Sequence, residues 1–345
     1  MTNSNDLPDY GSLNYRNVER VTLGSFEFNT WFGNSVIFFP SEPQVLGYQV
    51  LEKKTKLTSS IKKVSQLTKE RIPWIKKLSF CPYCFRYTTN ADDSLRHLSY
   101  CSYKRNLPGQ VMYLDDVCSI RRVNGKQHKL FCQCMSILAK FFLDNKSVFF
   151  NVDLFDFFVI YQTLDGVSTP MGFYSRELVS WEQNNLSCIF VIPCYQKQRL
   201  GSKLIEFSYY LSNHEQIISG PERPLSPFGK LAYLSYWCRS LSRELLYGRL
   251  STFDHVTLEL MSFKTGFRSE DILLTLDYMQ ALYETGEKFI YTDYYSNPCR
   301  KNQNFVFLED AEFRMFIDKA KIRNWVINHN ISAEPNLDPQ YLLLD

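Results

Sequence analysis

Four residues tie this chain to a local geometry: Cys81, Cys84, His97 and Cys101 in "CPYCFRYTTNADDSLRHLSYC", spaced C-x2-C-x12-H-x3-C. Two thiolates three apart grip one ion from a tight knuckle, and a His and Cys four apart present both ligands from one helical face. This is the ligand set of a closed tetrahedral Zn2+ site. The alternative, unrelated buried thiols and a surface histidine, is the weaker reading. Four protein ligands leave no open position for substrate, so the expected role is structural. Cys132 and Cys134 are too close to form such a knuckle and read as core thiols.

The surrounding 345 residues, 45% hydrophobic and 16% aromatic, supply enough apolar surface for a large core, in one big domain or two. No apolar run reaches membrane-spanning length, and the first thirty residues lack the basic-then-apolar order of a signal peptide, so a soluble intracellular chain is expected. Ten cysteines in that setting suggest thiols for metal or catalysis rather than a disulfide framework. The formal charge of +3 says little, but nine Lys or Arg against two Glu between Glu52 and Lys77 make a basic stretch. Such stretches are most often solvated faces, and a nucleic-acid contact through Lys53–Lys77 is the minority reading.

About a dozen polar residues form a loose N-terminal tail, and short strands are expected from there through about Phe39. "QVMYLDD" and "CSIRRVNGKQHKLF" read as strands, with Asn124-Gly125 as a hairpin turn. "CQCMSILAKFFLD" has helical spacing and "SVFFNVDLFDFFVIYQ" returns to strand. Later come a strand near Cys188–Ile192, a helix near Ser202–Leu211 and a long helix near Phe228–Tyr247. In the first helix Leu204, Phe207, Ser208 and Leu211 make one stripe, and in the second Leu231, Leu234, Cys238, Leu241 and Leu245 do. Ser226 reads as the N-cap of the long helix with Pro227 at its first position. "VTLELMSFKTGFRSEDILLTLDYMQALYETGEKFIYTD" reads as helix, turn, helix, strand, with Ser269 as N-cap and Glu270 and Asp271 in the first turn.

The apolar strand, polar loop and helix of "SCIFVIPCYQKQRLGSKLIEFSYYLS" make an anion site in outline, since free amides and the helix dipole both favour phosphate. It carries neither a Rossmann glycine fingerprint nor a P-loop Gly-Lys-Ser/Thr, and alone it is weak. Together with "GPERPLSPFGKLAYLSYW", "RNVERVTLGSFEFNTW", "FFLDNKSVFF", "MGFYSRE", "SEDILLTLDYMQALY" and the C2HC finger, it resembles the MYST family of histone acetyltransferases, over about Tyr15 to Asp293. "LFCQC", "LDNKS", "ISGPE" and "PLSPFG" look closest to the silencing-complex branch, which implies partner subunits of a SAS-like complex.

The resemblance implies an α+β fold: after a tail at 1–12, one MYST-type domain at 13–345. Its parts would be a β-rich N-terminal region at 13–143 with the zinc finger at 81–101, an acetyl-CoA-dependent N-acetyltransferase-type core at 144–247, and a helix-turn-helix-like region at 248–345. The Cys188–Val191 strand, with Ile189, Phe190 and Val191, would offer backbone hydrogen bonds to the pantetheine arm of acetyl-CoA. Lys197, Gln198, Arg199, Leu200, Gly201 and Ser202 would hold the pyrophosphate, and Ser226 would add a further coenzyme contact. Glu222 falls on the family's general base, which must strip a proton from a lysine amine of pKa near ~10.4. A base works better with a raised pKa, so apolar neighbours are expected around it; read without the family it is an exposed turn glutamate. Cys188 matches the active-site cysteine, either as an acetyl-cysteine intermediate or as lining. Lys146 matches the autoacetylated lysine, and is otherwise a surface lysine.

The resemblance further implies a nuclear, chromatin-associated enzyme acting on a histone tail, most plausibly of histone H4, and reliant on partner subunits for nucleosome targeting. Two departures stand out. The family loop runs Q/R-x-x-G-x-G/A, and here Arg199 takes the place of the first glycine; Cys194 replaces a proline before Tyr195. Arg199 is expected to keep a helix-compatible backbone and send its guanidinium to phosphate or solvent. Two rival readings remain: a MYST-shaped scaffold that has lost turnover, against which Glu222 and Cys188 both stand, and a finger-plus-helix-turn-helix DNA binder.

Overall fold

The computed structural model describes residues 16–34, 75–143, 151–284, 305–309, 314–332 and 334–344. The fold is mixed α and β, in two compact units: the first takes residues up to Leu178 together with Phe190–Gln198, the second Val179–Ile189 and Arg199 onward.

In the first unit the alternating text "VERVTL" forms β1 (Val18–Leu23), which turns at Gly24 into β2 (Phe26–Asn29). β3 (Ile75–Phe80) lies parallel to β1 and antiparallel to the short β4 (Tyr87–Thr88), in the order β2-β1-β3-β4. Helix α1 (Ala91–Tyr100) follows, then β5 (Gln110–Leu114), β6 (Cys118–Asn124), α2 (Lys129–Lys140), β7 (Phe155–Leu164) and β8 (Val167–Glu177). β9 (Asn184–Leu186), which belongs to the second unit, and β10 (Cys188–Val191) come next, and the main sheet has the order β10-β8-β7-β6-β5. Just past β10, Ile192 N–H donates to Met171 O at 3.0 Å. Gly172 makes the approach of that chain feasible: a Cβ there would sit 2.6 Å from Phe190 O. Phe141, Phe142, Phe157, Phe173 and Phe190 pack into one aromatic core with the apolar face of α2, where Cys132 and Cys134 are buried as expected.

Asn124-Gly125 is not a hairpin turn. The hairpin is β5–β6, closed by Asp115, whose Oδ1 accepts from Val117 N and Cys118 N at 2.8 and 2.6 Å. Asn124 Oδ1 instead accepts from Lys126 N and Gln127 N, starting the turn into α2. Glycine is needed at 125 for close approach, since a Cβ would lie 1.8 Å from Val152 O.

In the second unit α3 (Leu200–His214) starts two residues earlier than expected and buries Leu204, Phe207, Ser208 and Leu211. After β11 (Gly220–Pro221), α4 (Pro227–Leu246) is capped by Ser226, which accepts from Gly229 N at 3.1 Å, with Pro227 at its first position. Leu231 is an exception to its expected stripe: it is 60% exposed, because α4 becomes buried only from Tyr233 onward. The two helices are locked by Tyr209, which stacks on Tyr236 and accepts from Trp237 Nε1 at 2.8 Å. The chain then runs through β12 (His255–Thr257), α5 (Leu258–Thr265), α6 (Ser269–Tyr278), β13 (Leu282–Glu284), β14 (Phe305–Glu309), β15 (Arg314–Asp318) and α7 (Lys319–Asn328), in a sheet of order β12-β14-β15-β13. The helix-turn-helix-strand order agrees with the sequence, and Gly266 at φ +77° closes α5. The N-cap of α6 is Arg268 rather than Ser269, whose hydroxyl is 3.2 Å from Ser262 Oγ. No described helix is long and apolar enough to cross a membrane.

Candidate functional site

The first cluster of chemistry is built at the end of β3. Cys81 ends the strand, its N–H donating to Arg86 O at 2.8 Å, and Phe85 takes φ +62° so that the chain doubles back and presents Cys84. Asn90 caps α1 by accepting from Asp92 N and Asp93 N, which aims His97 and Cys101 back at the knuckle. The four ligand atoms lie within 4.8 Å of one another, the cysteines buried and His97 half-buried. Cys81 Sγ and Cys101 Sγ are 3.7 Å apart, and Cys84 Sγ is 3.1 Å from His97 Nε2. A tetrahedral ion with metal–sulfur bonds of about 2.3 Å needs sulfur atoms about 3.8 Å apart, so the donor set fits Zn2+ in spacing and in type. The thiols already compete for charge: a hydrogen bond from Cys84 pulls Cys81 down to about 5, while that same shared proton and then burial push Cys84 up. A dication removes this competition. α1 buries no side chain fully, and is held by Leu98 packed on the core and by His97 and Cys101 in the cluster.

The expected coenzyme segment is continuous in the chain. Phe190 is buried, and Ile189 and Val191 are half-buried. Lys197, Gln198 and Arg199 are exposed, while Leu200, Gly201 and Ser202 form the first turn of α3, which no side chain caps. Their amides are therefore the unsatisfied donors of a helix start. Arg199 corrects one expectation. Its backbone is left-handed, φ +59° and ψ +14°, not helix-compatible, and Lys197 is left-handed too at φ +65°. The loop must reverse into α3 within a few residues, and that shape is the one glycine adopts freely. Ser226, exposed, spends its oxygen on capping α4 and keeps its proton to donate.

Glu222 is seated inside the second unit beside the strand that leads to Cys188. β11 runs parallel to β9, pairing Pro221 with Leu186, and Glu222 N–H donates to Leu186 O at 2.8 Å, two residues before Cys188. Cys188 is half-buried. Glu222 is exposed, against the expectation of apolar surroundings, because the two-residue strand ends at Pro221 and its buried pattern ends there too. Lys146 lies outside the described residues, as do residues 53–74 of the basic stretch.

Sequence reasoning missed the groups that hold this strand pair. Arg268 Nη2 donates to Glu182 O at 2.7 Å and to Asn184 Oδ1 at 2.8 Å, and Nη1 to Pro221 O at 3.4 Å. Arg223, next to Glu222, pairs with the fully buried Asp271 on α6. Asp271 reads in sequence as a first-turn helix acid, and nothing local points to Arg223.

Residues 106–321 match the model of the MOZ/SAS family. The chain is 43% identical to the histone acetyltransferase SAS2 of Saccharomyces cerevisiae, over 81% of its own length and 80% of that protein's. It is 37% identical to the histone acetyltransferase MOF of Drosophila melanogaster over 79% of this chain and 29% of that one. With the human histone acetyltransferase KAT6B the figures are 33% identity, 63% and 10%. The chain thus spans most of SAS2 but less than a third of MOF and about a tenth of KAT6B. With the Cys3His cluster and the strand, loop and helix in family order, these matches show that the chain belongs to the MOZ/SAS family, the MYST acetyltransferases.

Proposed function

We propose that the protein is a histone lysine N-acetyltransferase that moves the acetyl group of acetyl-CoA to a lysine of a histone tail, with histone H4 as the target. The observation that carries this reading is the seating of Glu222 beside the strand leading to Cys188, in a chain of this family. In the reaction Glu222 accepts a proton from the substrate ammonium, and the freed amine attacks the thioester carbonyl carbon. The C–N bond forms, the C–S bond breaks, and the sulfur leaves as coenzyme A thiolate, which takes up a proton. An exposed Glu222 is open to an incoming lysine, and docking of the tail over it would exclude water. Cys188 either lines that site or carries the acetyl group first.

Backbone groups of Ile189, Phe190 and Val191 would bind the pantetheine arm, and Lys197 to Ser202 the pyrophosphate, in an N-acetyltransferase-type core at 144–247. The regions at 13–143 and 248–345 would flank it. The left-handed Lys197 and Arg199 support the loop assignment, since they give it the shape a glycine would. Zn2+ would brace the N-terminal region. The likeness to SAS2 favours a nuclear, chromatin-bound subunit of a SAS-like silencing complex, with Lys146 autoacetylated; for the basic stretch at Lys53–Lys77 a solvated face stays the main reading and nucleosomal DNA the minority one. The test is mass spectrometry of histones incubated with acetyl-CoA and wild type or Glu222→Gln, with and without partner subunits. Expected is acetylation on H4 that falls by a factor of about 10²–10⁴ in the variant. Coenzyme binding with no transfer by either protein would favour the scaffold reading instead.

A further inference from the structure

A two-residue strand is a poor mount for a general base. β11 is only Gly220–Pro221, and the amide of Glu222 makes the last backbone bond to β9. Beyond it the direction of the Glu222 side chain depends on where the next residue is held.

Two side chains from the start of α6 supply that hold. Arg268 spans both strands, gripping Glu182 O and Asn184 Oδ1 on the β9 side and Pro221 O on the β11 side. Asp271, 0% exposed, takes the guanidinium of Arg223 on its Oδ1. Gly220 allows α6 to lie against the strand: a Cβ there would come 2.8 Å from Asp271 Oδ2 and 3.2 Å from Arg268 Cδ. The helix start therefore touches β11 immediately before Glu222 and captures the chain immediately after it.

We propose that Arg223 and Asp271 form a positioning pair that fixes the chain on the far side of Glu222 and so aims its carboxylate at the substrate amine, with Arg268 clamping the strands beneath. This rests on Glu222 being the base. Neither member needs to touch substrate. The pair is badly placed to serve stability, because burial raises the Asp271 carboxyl to about 6 against the opposing pull of Arg223 and Arg268, with Glu270 adding to the rise. Buried ion pairs commonly contribute little to folding free energy, and removing one partner leaves the other stranded. Here Arg223 is partly exposed and can return to water, whereas Asp271 cannot.

The experiment measures kcat and KM at pH 8 for the full chain with its partner subunits, using acetyl-CoA and an H4 tail peptide. The proteins are wild type, Asp271→Asn, Arg223→Gln, Arg223→Lys, the Arg223→Gln/Asp271→Asn double variant and Glu222→Gln, with melting temperatures for all. Expected for each neutral single variant is a 10- to 100-fold fall in kcat, with KM for acetyl-CoA within twofold and the melting temperature of Asp271→Asn no lower than wild type. Arg223→Lys should recover part of kcat, and the double variant should be no worse than the poorer single one. A wild-type kcat in Asp271→Asn alongside a dead Glu222→Gln would overturn the pair and leave the base reading intact. A full rate in Glu222→Gln would overturn the base reading and the pair with it. Losses of kcat that track melting temperature across the series would show a structural role only.

Discussion

Arg199 shows how a residue with a Cβ can take up a left-handed backbone at a position where the family pattern has glycine. A left-handed residue with a Cβ costs about 1–2 kcal/mol relative to glycine, partly offset by the greater freedom glycine has in the unfolded chain. Arg199→Gly should therefore stabilise the protein by up to about 1 kcal/mol in chemical denaturation, with acetyl-CoA affinity changed less than tenfold. A loss of stability would mean that the guanidinium makes contacts worth more than the strain. Asp271 gives a pH signature at the same scale. Its folded carboxyl, raised to about 6, keeps a proton that the unfolded chain has already released above its ordinary value near ~3.9. Between those values the folded state binds more protons, so stability from this group is full below the window and is lost as pH rises through it. Wild type should lose on the order of 2–3 kcal/mol relative to Asp271→Asn from pH 4 to pH 7, the difference flattening above about 6.5. Melting curves across that range check it, and a slope of opposite sign would mean that Arg223 outweighs burial.

Among the described α-helices, α1 is the one least able to hold itself. It spans ten residues, has no buried side chain, and is shorter than helices that persist alone in water. Apart from Leu98 packed on the core, its anchors are His97 and Cys101 of the Cys3His cluster, so if that cluster holds Zn2+, chelation should release it while the main sheet persists. Hydrogen exchange should then lose protection over 91–100 and in the knuckle at 81–86 but not across β6–β8, and uniform loss would show the metal to hold the whole unit. The ligand spacing made this element legible in the sequence, because all four ligands lie within one short stretch and bring their own turn and cap. The strand, loop and helix after Cys188 were legible for the same reason, as was the Ser226-Pro227 helix start. The Asn124-Gly125 hairpin was misread because a turn dipeptide looks the same whether glycine serves a positive φ or, as here, a carbonyl that passes too close for a Cβ.

At the level of the whole molecule, distant parts of the second unit are tied by buried polar groups. Glu206, buried on α3, accepts from both the backbone N–H and the side-chain Nδ2 of Asn336 at 2.8 Å, and Tyr210 Oη donates to Leu337 O at 3.3 Å. Glu206→Ala should cost about 1–3 kcal/mol and expose 334–344 to proteolysis, since a charge-assisted bond pair is lost and the half-buried donors of Asn336 lose their acceptor. Limited proteolysis read by mass spectrometry would show it, and an uncut C-terminus would place the restraint elsewhere. The sequence by itself determined what neighbours decide: the Cys3His cluster, the strand-loop-helix order, the Ser226 cap, and the family likeness from which Glu222 and Cys188 are proposed. Only the tertiary structure decided which side chains meet around the β9–β11 pair and at the C-terminal segment, because those partners are far apart in the chain: Arg223 and Asp271 by 48 positions, Arg268 and Asn184 by 84, and, at the C-terminal segment, Glu206 and Asn336 by 130. A lone Arg or Asp in a sequence reads as a solvated charge, and it becomes a clamp only when docking elements take it out of water and leave it one partner.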